Sequence, residues 1–110
     1  MKRAYSLSAK EIPFIMKDSH KYSCGFFYVK YKNFKEEEKR NVPGFSFITS
    51  KKEFKKAVDR NHARRVLREC VDAYITKFPV KAYLFFIQKS IEDADFIDLK
   101  KEVEKFVSTL

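Results

Sequence analysis

The residues with the most specific chemistry are cations spaced along segment 51–68. Arg60, Arg64 and Arg68 recur every four residues, and Arg65 falls in the same sector at a helical angle of about 100° per residue. At a rise of about 1.5 Å per residue, these guanidinium groups extend over roughly 12 Å of one helix side. A guanidinium makes paired hydrogen bonds to phosphate oxygens and can stack on a base. The spacing therefore predicts a helix that contacts several phosphates of a nucleic acid.

Arginines on an exposed helix face are most often simply solvated surface. The density of charge in this segment favours a binding role instead. Lysines precede the arginines at positions 51, 52, 55 and 56, and Asp59 and Glu69 are the only acids between Lys55 and Cys70. This surplus of positive charge indicates a polyanionic partner, although charge alone does not distinguish DNA from RNA.

The whole chain carries the same charge bias. Its 24 Lys and Arg residues outnumber 15 Asp and Glu residues, and the net charge of +9 favours nucleic acid as the partner, with an anionic membrane surface second. No apolar run approaches the roughly 18 residues of a membrane-spanning helix, and the basic start Met1-Lys2-Arg3 lacks the apolar region of a secretory signal. Cys24 and Cys70 lack metal-ligand partners nearby, so we expect reduced thiols and a cytoplasmic protein.

The sequence offers no evident residues for a nuclease that would act by itself. Such an enzyme needs clustered carboxylates for metal ions or a pair of histidines for acid-base work. The acids at 36–38 share one loop, and those at 92, 93, 95 and 98 surround a helix start, where carboxylates are usually solvated or capping groups. His20 and His62 have no evident catalytic partner. We therefore predict no catalytic residue and no protein-bound metal.

The elements that position the cations fit one α+β domain, because 110 residues suffice for a single core. The segment Ser8–Glu11 has the form of a capping box, and Pro13 suits the first position of a helix. A short first helix is predicted from about Ile12 to Lys17. Later in the chain, Lys51–Phe78 contains a helix whose core stripe lies beside the arginines and consists of Ala63, Leu67, Cys70, Val71, Tyr74 and Phe78.

The strands are predicted from alternating aromatic and β-branched residues. Tyr22–Tyr31 is predicted as one strand, with Phe27, Val29 and Tyr31 on one face and Phe26, Tyr28 and Lys30 on the other. The charged stretch Lys35–Asn41 is predicted as a hairpin loop leading to a second strand, Val42–Thr49, so the two strands are expected to be antiparallel neighbours. Lys81–Gln88 is almost continuously apolar, which predicts a buried central strand.

A last helix follows, capped by Asp95 or Asp98. Its core stripe is predicted to contain Phe96, Leu99, Val103, Phe106 and Val107. The sheet phenylalanines at 26, 45, 85 and 86 are expected to be core residues, because half-buried sheet aromatics ordinarily are.

The segment Ser50–Cys70, with the sequence SKKEFKKAVDRNHARRVLREC, resembles the signature of bacterial ribonuclease P proteins. That signature has two lysines, a short basic segment, Ala-Val or a similar pair, then Arg-Asn-Arg, a Lys/Arg pair and a further Arg. The matching residues are Lys51, Lys52, Ala57, Arg60, Asn61, Arg64, Arg65 and Arg68. His62 stands at the second Arg of the Arg-Asn-Arg triplet, where imidazole can still stack or donate a hydrogen bond.

The resemblance implies a fold and a function. The implied fold is a single α+β domain over residues 1–110, in the order α-β-β-β-α-β-α, with a basic helix packed on a mixed sheet as in ribosomal protein S5 domain 2-like proteins. The implied function is that of the protein subunit of ribonuclease P, which binds a catalytic RNA and helps it remove the 5′ leader of precursor tRNA. The RNA performs the hydrolysis and holds most of the Mg2+, and neither a membrane nor DNA is an expected partner.

The resemblance also implies two sets of contacts. The residues expected to bind the RNA subunit are Lys51, Lys52, Arg60, Asn61, His62, Arg64, Arg65 and Arg68. The leader is expected in a cleft lined by Ile12, Met16, Tyr28 and Lys30. The family's first helix commonly offers the pattern Phe-x-x-Val-Phe, and the positions here are aliphatic Ile12, Ile15 and Met16. Tyr28 is therefore the expected stacking platform, unless it is a core residue.

Two other functions fit parts of the sequence. A ribosomal or architectural RNA-binding protein without enzymatic activity would have the same size, charge and sheet. The signature between Lys51 and Arg68 favours ribonuclease P over that alternative. A DNA-binding domain that reads the major groove is disfavoured, because the elements before the arginine helix are predicted strands and not a helix-turn-helix.

Overall fold

Four strands form one mixed sheet in the order β1-β2-β4-β3. In the computed structural model, which describes residues 1–110, the strands are β1 (His20–Ser23), β2 (Phe27–Lys32), β3 (Gly44–Ile48) and β4 (Ala82–Ile87). The helices are α1 (Ile12–Met16), α2 (Ala57–Asp72) and α3 (Phe96–Ser108). This is the α+β fold and the element order that the family resemblance implies.

Strand β4 lies in the middle of the sheet, as predicted for the most apolar segment. It pairs antiparallel with β2 and parallel with β3, and helix α2 connects β3 to β4. Tyr83, Phe85 and Ile87 face α2 and α3, whereas Ala82 and Leu84 pack against α1 on the opposite side. A strand covered on both faces needs apolar side chains at nearly every position, which explains the continuous run.

Two predictions about strand pairing were wrong. Residues 22–31 form a hairpin, β1 and β2, in which the Cys24 N–H donates to the Phe27 carbonyl at 2.9 Å. Strand-forming residues on both sides hide this turn, and Gly25 is its one local signal. The segment Lys35–Asn41 is not a hairpin loop, because β4 lies between β2 and β3. Strand β3 pairs instead with β4, the most apolar strand. The order of the strands along the sequence does not reveal this pairing, because it joins segments that are far apart in the chain.

Helices α2 and α3 bury their apolar stripes on the same face of the sheet. The stripes contain Ala63, Leu67, Cys70 and Val71 from α2 and Leu99, Val103 and Phe106 from α3, all of them buried. Each large side chain buried in this way stabilises the fold by about 1.5–3 kcal/mol. Helix α2 ends at Asp72, so Tyr74 and Phe78 lie beyond it. Phe78 is still buried, edge-on to Phe45 at 5.0 Å between ring centres.

Helix α1 packs on the other face of the sheet. The Ser8 N–H donates to the Glu11 carboxylate at 2.9 Å, and Pro13 lies in the first turn, as predicted. Ile15 is the one buried residue of α1 and contacts Ala82 and Leu84. None of the helices has the length and apolar character required to cross a membrane.

At the start of α3, Asp95 occupies the N-cap position without a capping side-chain hydrogen bond, and Asp98 lies in the first turn. The carboxylates therefore act on this helix through its dipole rather than by capping it. Phe96 and Ile97 remain exposed, so Phe96 is not the core residue that the helical pattern predicts.

Candidate nucleic-acid interface

The predicted arginines line one side of α2, next to the edge strand β3. Arg64 Nη1 donates to Thr49 Oγ1 at 2.7 Å, just beyond the end of β3. The Arg68 guanidinium lies 5.5 Å from the centre of the Phe47 ring, a cation–π contact. These two contacts fix the arginine side of α2 against β3. The helical geometry inferred from the spacing of the arginines is confirmed.

Arg60 differs from the other arginines, because its guanidinium is occupied by the backbone. Its Nη1 donates to the Phe54 carbonyl at 2.7 Å and to the Lys55 carbonyl at 3.2 Å. Phe54 itself is fully buried, so Arg60 ties the segment before α2 to the core. Arg60 therefore stabilises the fold through Nη1.

The remaining cations border a surface depression of about 470 Å³, which is lined by Val58, Asn61, His62, Arg64, Arg65 and Arg68. Asn61 Oδ1 accepts a hydrogen bond from Arg64 Nη2, and Arg65 Nη2 lies 3.3 Å from His62 Nδ1. The sequence could not show that these side chains pair at intervals of three residues. Such pairing restrains the long side chains before any ligand binds, which reduces the entropy that binding must remove.

No carboxylate neutralises these cations. The four ion pairs of the protein join the Met1 amino group to Asp72, Arg40 to Glu11, Lys89 to Glu92 and Lys105 to Glu102. Lys51 and Lys52 are exposed in the turn before α2. The predicted surplus of positive charge is therefore accessible to solvent and unpaired, an arrangement suited to binding polyanions.

A second surface lies on the opposite face of the sheet, where α1 leaves the strands uncovered. Tyr28 stacks on Phe86 with 4.7 Å between ring centres and 10° between ring planes. The Lys21 ammonium lies 4.6 Å from the centre of the Tyr28 ring, and Lys30 is directly opposite Lys21 in the strand register. Tyr28 thus belongs to this open face and not to the core under α2 and α3.

Phe86 is the residue of this face that the sequence analysis missed. It was expected in the core, and it is instead half-buried beside Tyr28. The residues directly before and after Phe86 in β4 are apolar and buried, so the sequence pattern of this strand could not distinguish Phe86 from core residues.

The two α1 residues expected in the cleft are both accessible. Met16 is 41% exposed and Ile12 is half-buried, so both remain accessible beside the sheet. Ile15 is buried under α1 and cannot contact a ligand. Phe14, which the helical spacing did not single out, is half-buried. The Lys32 ammonium lies 3.9 Å from the centre of its ring, a cation–π contact. Lys32 also donates to the carbonyls of Phe14, at 3.0 Å, and Lys17, at 2.7 Å, which holds the end of α1 on β2.

Burial favours the protonated forms of both cysteine thiols and of the Tyr83 hydroxyl. Burial raises the pKa of the Cys70 thiol to about 11, and burial also raises the pKa of Cys24. Burial raises the pKa of Tyr83, whose hydroxyl donates to the Pro79 carbonyl at 2.8 Å. The protein has no three His, Cys, Asp or Glu side chains grouped to hold a metal ion.

These features define a small α+β domain with one cationic helix side and one sheet face that carries stacked rings and lysines. The family profile described as Ribonuclease P matches residues 1–110, so the chain belongs to the ribonuclease P protein family. A ribonuclease P protein component from a Nitratiruptor species is 34% identical over 64 residues, a stretch that covers 58% of each chain. The chain thus spans somewhat more than half the length of that relative.

Solved structures of bacterial ribonuclease P proteins have the same fold. The protein from Staphylococcus aureus superposes with a TM-score of 0.80 at 19% identity, over 97% of this chain and 95% of that one. The protein from Thermotoga maritima gives a TM-score of 0.80 at 17% identity, over 96% of each chain. At such low identity the similarity establishes the fold.

Proposed function

We propose that this chain is the protein subunit of a bacterial ribonuclease P, which binds the catalytic RNA with α2 and the 5′ leader of precursor tRNA with the open face of the sheet. The observation that supports this most directly is the arginine side of α2, whose cations have no carboxylate partners. Membership of the family supplies the identity of the RNA partner.

On α2, the proposed contacts to the RNA subunit come from Arg64, Arg65 and Arg68, with Asn61 and His62 between them. Each guanidinium that meets a phosphate releases a counterion, so affinity should fall steeply as salt rises. Lys51 and Lys52 extend the same positive surface to the turn before the helix. Arg60 contributes to the fold with Nη1, which already binds two backbone carbonyls.

On the open face, the proposed leader contacts come from Tyr28 and Lys30, with Ile12 and Met16 as the apolar side of the cleft. A base that stacks on an aromatic ring gains about 1–3 kcal/mol with little dependence on its identity. That tolerance suits a subunit that must accept leaders of many sequences. The Tyr28–Phe86 stack holds the ring in place before the leader arrives.

Catalysis is assigned to the RNA in this proposal. The acidic side chains of the protein do not form a group able to hold Mg2+, so the protein's own residues do not fit a resident metal ion. The protein instead contributes positive charge, which offsets the repulsion between the phosphates of the RNA subunit and those of its substrate.

Reconstitution tests this function. The purified protein is mixed with an in vitro transcribed bacterial ribonuclease P RNA and a 5′-labelled precursor tRNA. We expect no cleavage by the protein alone and faster cleavage by the RNA when the protein is added at low magnesium. Cleavage without RNA would contradict the proposal, and tight RNA binding without any stimulation would favour the ribosomal or architectural alternative.

A further inference from the structure

His62 lies between the arginine-lined depression and a group of acids. On one side it lines the depression beside Arg64, Arg65 and Arg68. On the other it lines an apolar groove of about 380 Å³ that also contains Asp59 and Glu92. His62 itself is exposed to solvent.

The contact between His62 and Arg65 is possible only for a neutral imidazole. A guanidinium can only donate hydrogen bonds, so His62 Nδ1, 3.3 Å from Arg65 Nη2, must accept. Protonation of Nδ1 removes this acceptor and places two positive charges side by side. Two such groups repel each other unless an anion lies between them. A phosphate that accepted a hydrogen bond from each side chain would remove this repulsion.

The charges that face His62 come from two elements. On α2, Asp59 lines the same groove as His62, and Arg65 Nη2 lies 3.3 Å from His62 Nδ1. From the 3-10 turn Lys89–Asp93, Glu92 also lines the groove, and its carboxylate is paired with the Lys89 ammonium. Phe96, at the start of α3, brings no charge to the groove.

We propose that His62 is a conditional RNA contact, which takes up a proton when it and Arg65 share a phosphate, so that RNA binds more tightly as pH falls. This inference rests on the proposed function, because it requires RNA on the arginine side of α2. Histidine is the side chain whose charge ordinarily changes between about pH 5 and 8. An arginine at this position would make the same contact at every pH in that range.

The test measures how the RNA association constant depends on salt at about pH 6 and about pH 8, the range in which histidine titrates. The probe is an in vitro transcribed bacterial ribonuclease P RNA at fixed magnesium. For the wild type, we expect the slope of log K against log salt to steepen by roughly 0.5–0.7 at the lower pH, since a full contact contributes about 0.7–0.9. His62→Arg should keep a steep slope and His62→Gln a shallow slope at both pH values.

His20 provides the matched control. It lies on β1, at the opposite edge of the sheet from β3, and its ring packs against Tyr31. His20→Gln should keep the pH dependence of the wild type. Calorimetry in two buffers of different ionisation enthalpy should show proton uptake on RNA binding by the wild type and by His20→Gln, and none by His62→Gln.

The outcomes separate this inference from the proposed function. If RNA binds with a steep salt slope that is the same at both pH values, or if His62→Gln keeps the pH dependence, the role of His62 is wrong while RNA binding stands. If no variant binds the RNA in a salt-dependent way, both the proposed function and the role of His62 are wrong.

Discussion

Replacing Arg60 should damage the fold, whereas replacing Arg65 should damage RNA binding alone. The two arginines belong to the same predicted helix side but have different hydrogen-bond partners in the structure. Arg60 Nη1 donates to two backbone carbonyls, those of Phe54 and Lys55. The only side-chain partner of Arg65 is His62, at 3.3 Å. Methionine is a suitable replacement for each, because it keeps an unbranched stem and removes the donors.

The expected loss follows from the bonds removed. A hydrogen bond that involves a charged group contributes about 1.5–3 kcal/mol, and the two bonds of Arg60 share one nitrogen at a half-buried site, so we expect a total near 2–3 kcal/mol. For a domain of this size, that corresponds to a fall in melting temperature of roughly 8–15 °C. Arg65→Met should change stability by less than about 0.5 kcal/mol.

Urea denaturation followed by circular dichroism measures both variants. Arg60→Lys serves as a further comparison, because an ammonium can retain one of the two carbonyl contacts and should recover part of the loss. RNA affinity is then measured below the unfolding transition, where Arg65→Met should show the larger loss and the shallower salt slope. Equal stability of Arg60→Met and Arg65→Met would refute the assignment of Arg60 to the fold.

Three further predictions follow from the other contacts. Tyr28→Leu should weaken binding of precursor tRNA by about 1–3 kcal/mol and leave mature tRNA binding unchanged in filter assays; equal losses for both would contradict the leader site. Lys32→Met should loosen α1, seen as lost amide hydrogen-exchange protection there while α2 keeps its own. Because the pKa of Cys70 is raised from 9.0 to about 11, the native thiol stays protonated while the unfolded thiol ionises. The unfolding free energy should thus fall by up to about 3 kcal/mol as pH rises through that window, and Cys70→Ala should flatten the fall in urea titrations.

The helical part of the interface could be predicted because its determinants are local. The spacing of Arg64 and Arg68 places them on one helix side whatever the rest of the chain does, and Leu67 and Val71 identify the side that is buried. The distinct position of Arg60 could not be predicted, because it depends on where the carbonyls of the preceding loop lie. A pattern of charges identifies a surface, but not which charges the protein itself already uses.

The strand order could not be predicted for a related reason. The sequence places β2 and β3 next to each other, and only the tertiary structure shows that β4 pairs with both. That pairing also forms the surface that we propose for the leader, because it brings Phe86 beside Tyr28. Neither residue carries a local signal that distinguishes a stacking platform from a core aromatic.

The open face itself follows from a mismatch of lengths. Strand β2 has six residues and extends over roughly 20 Å at about 3.3 Å per residue. Helix α1 has five residues and extends over only about 7.5 Å. It covers the end of the sheet at Ala82 and Leu84, where Ile15 is buried, and leaves Tyr28 beyond its reach. The Tyr28 ring therefore stays on the part of this sheet face that α1 does not cover, stacked on Phe86.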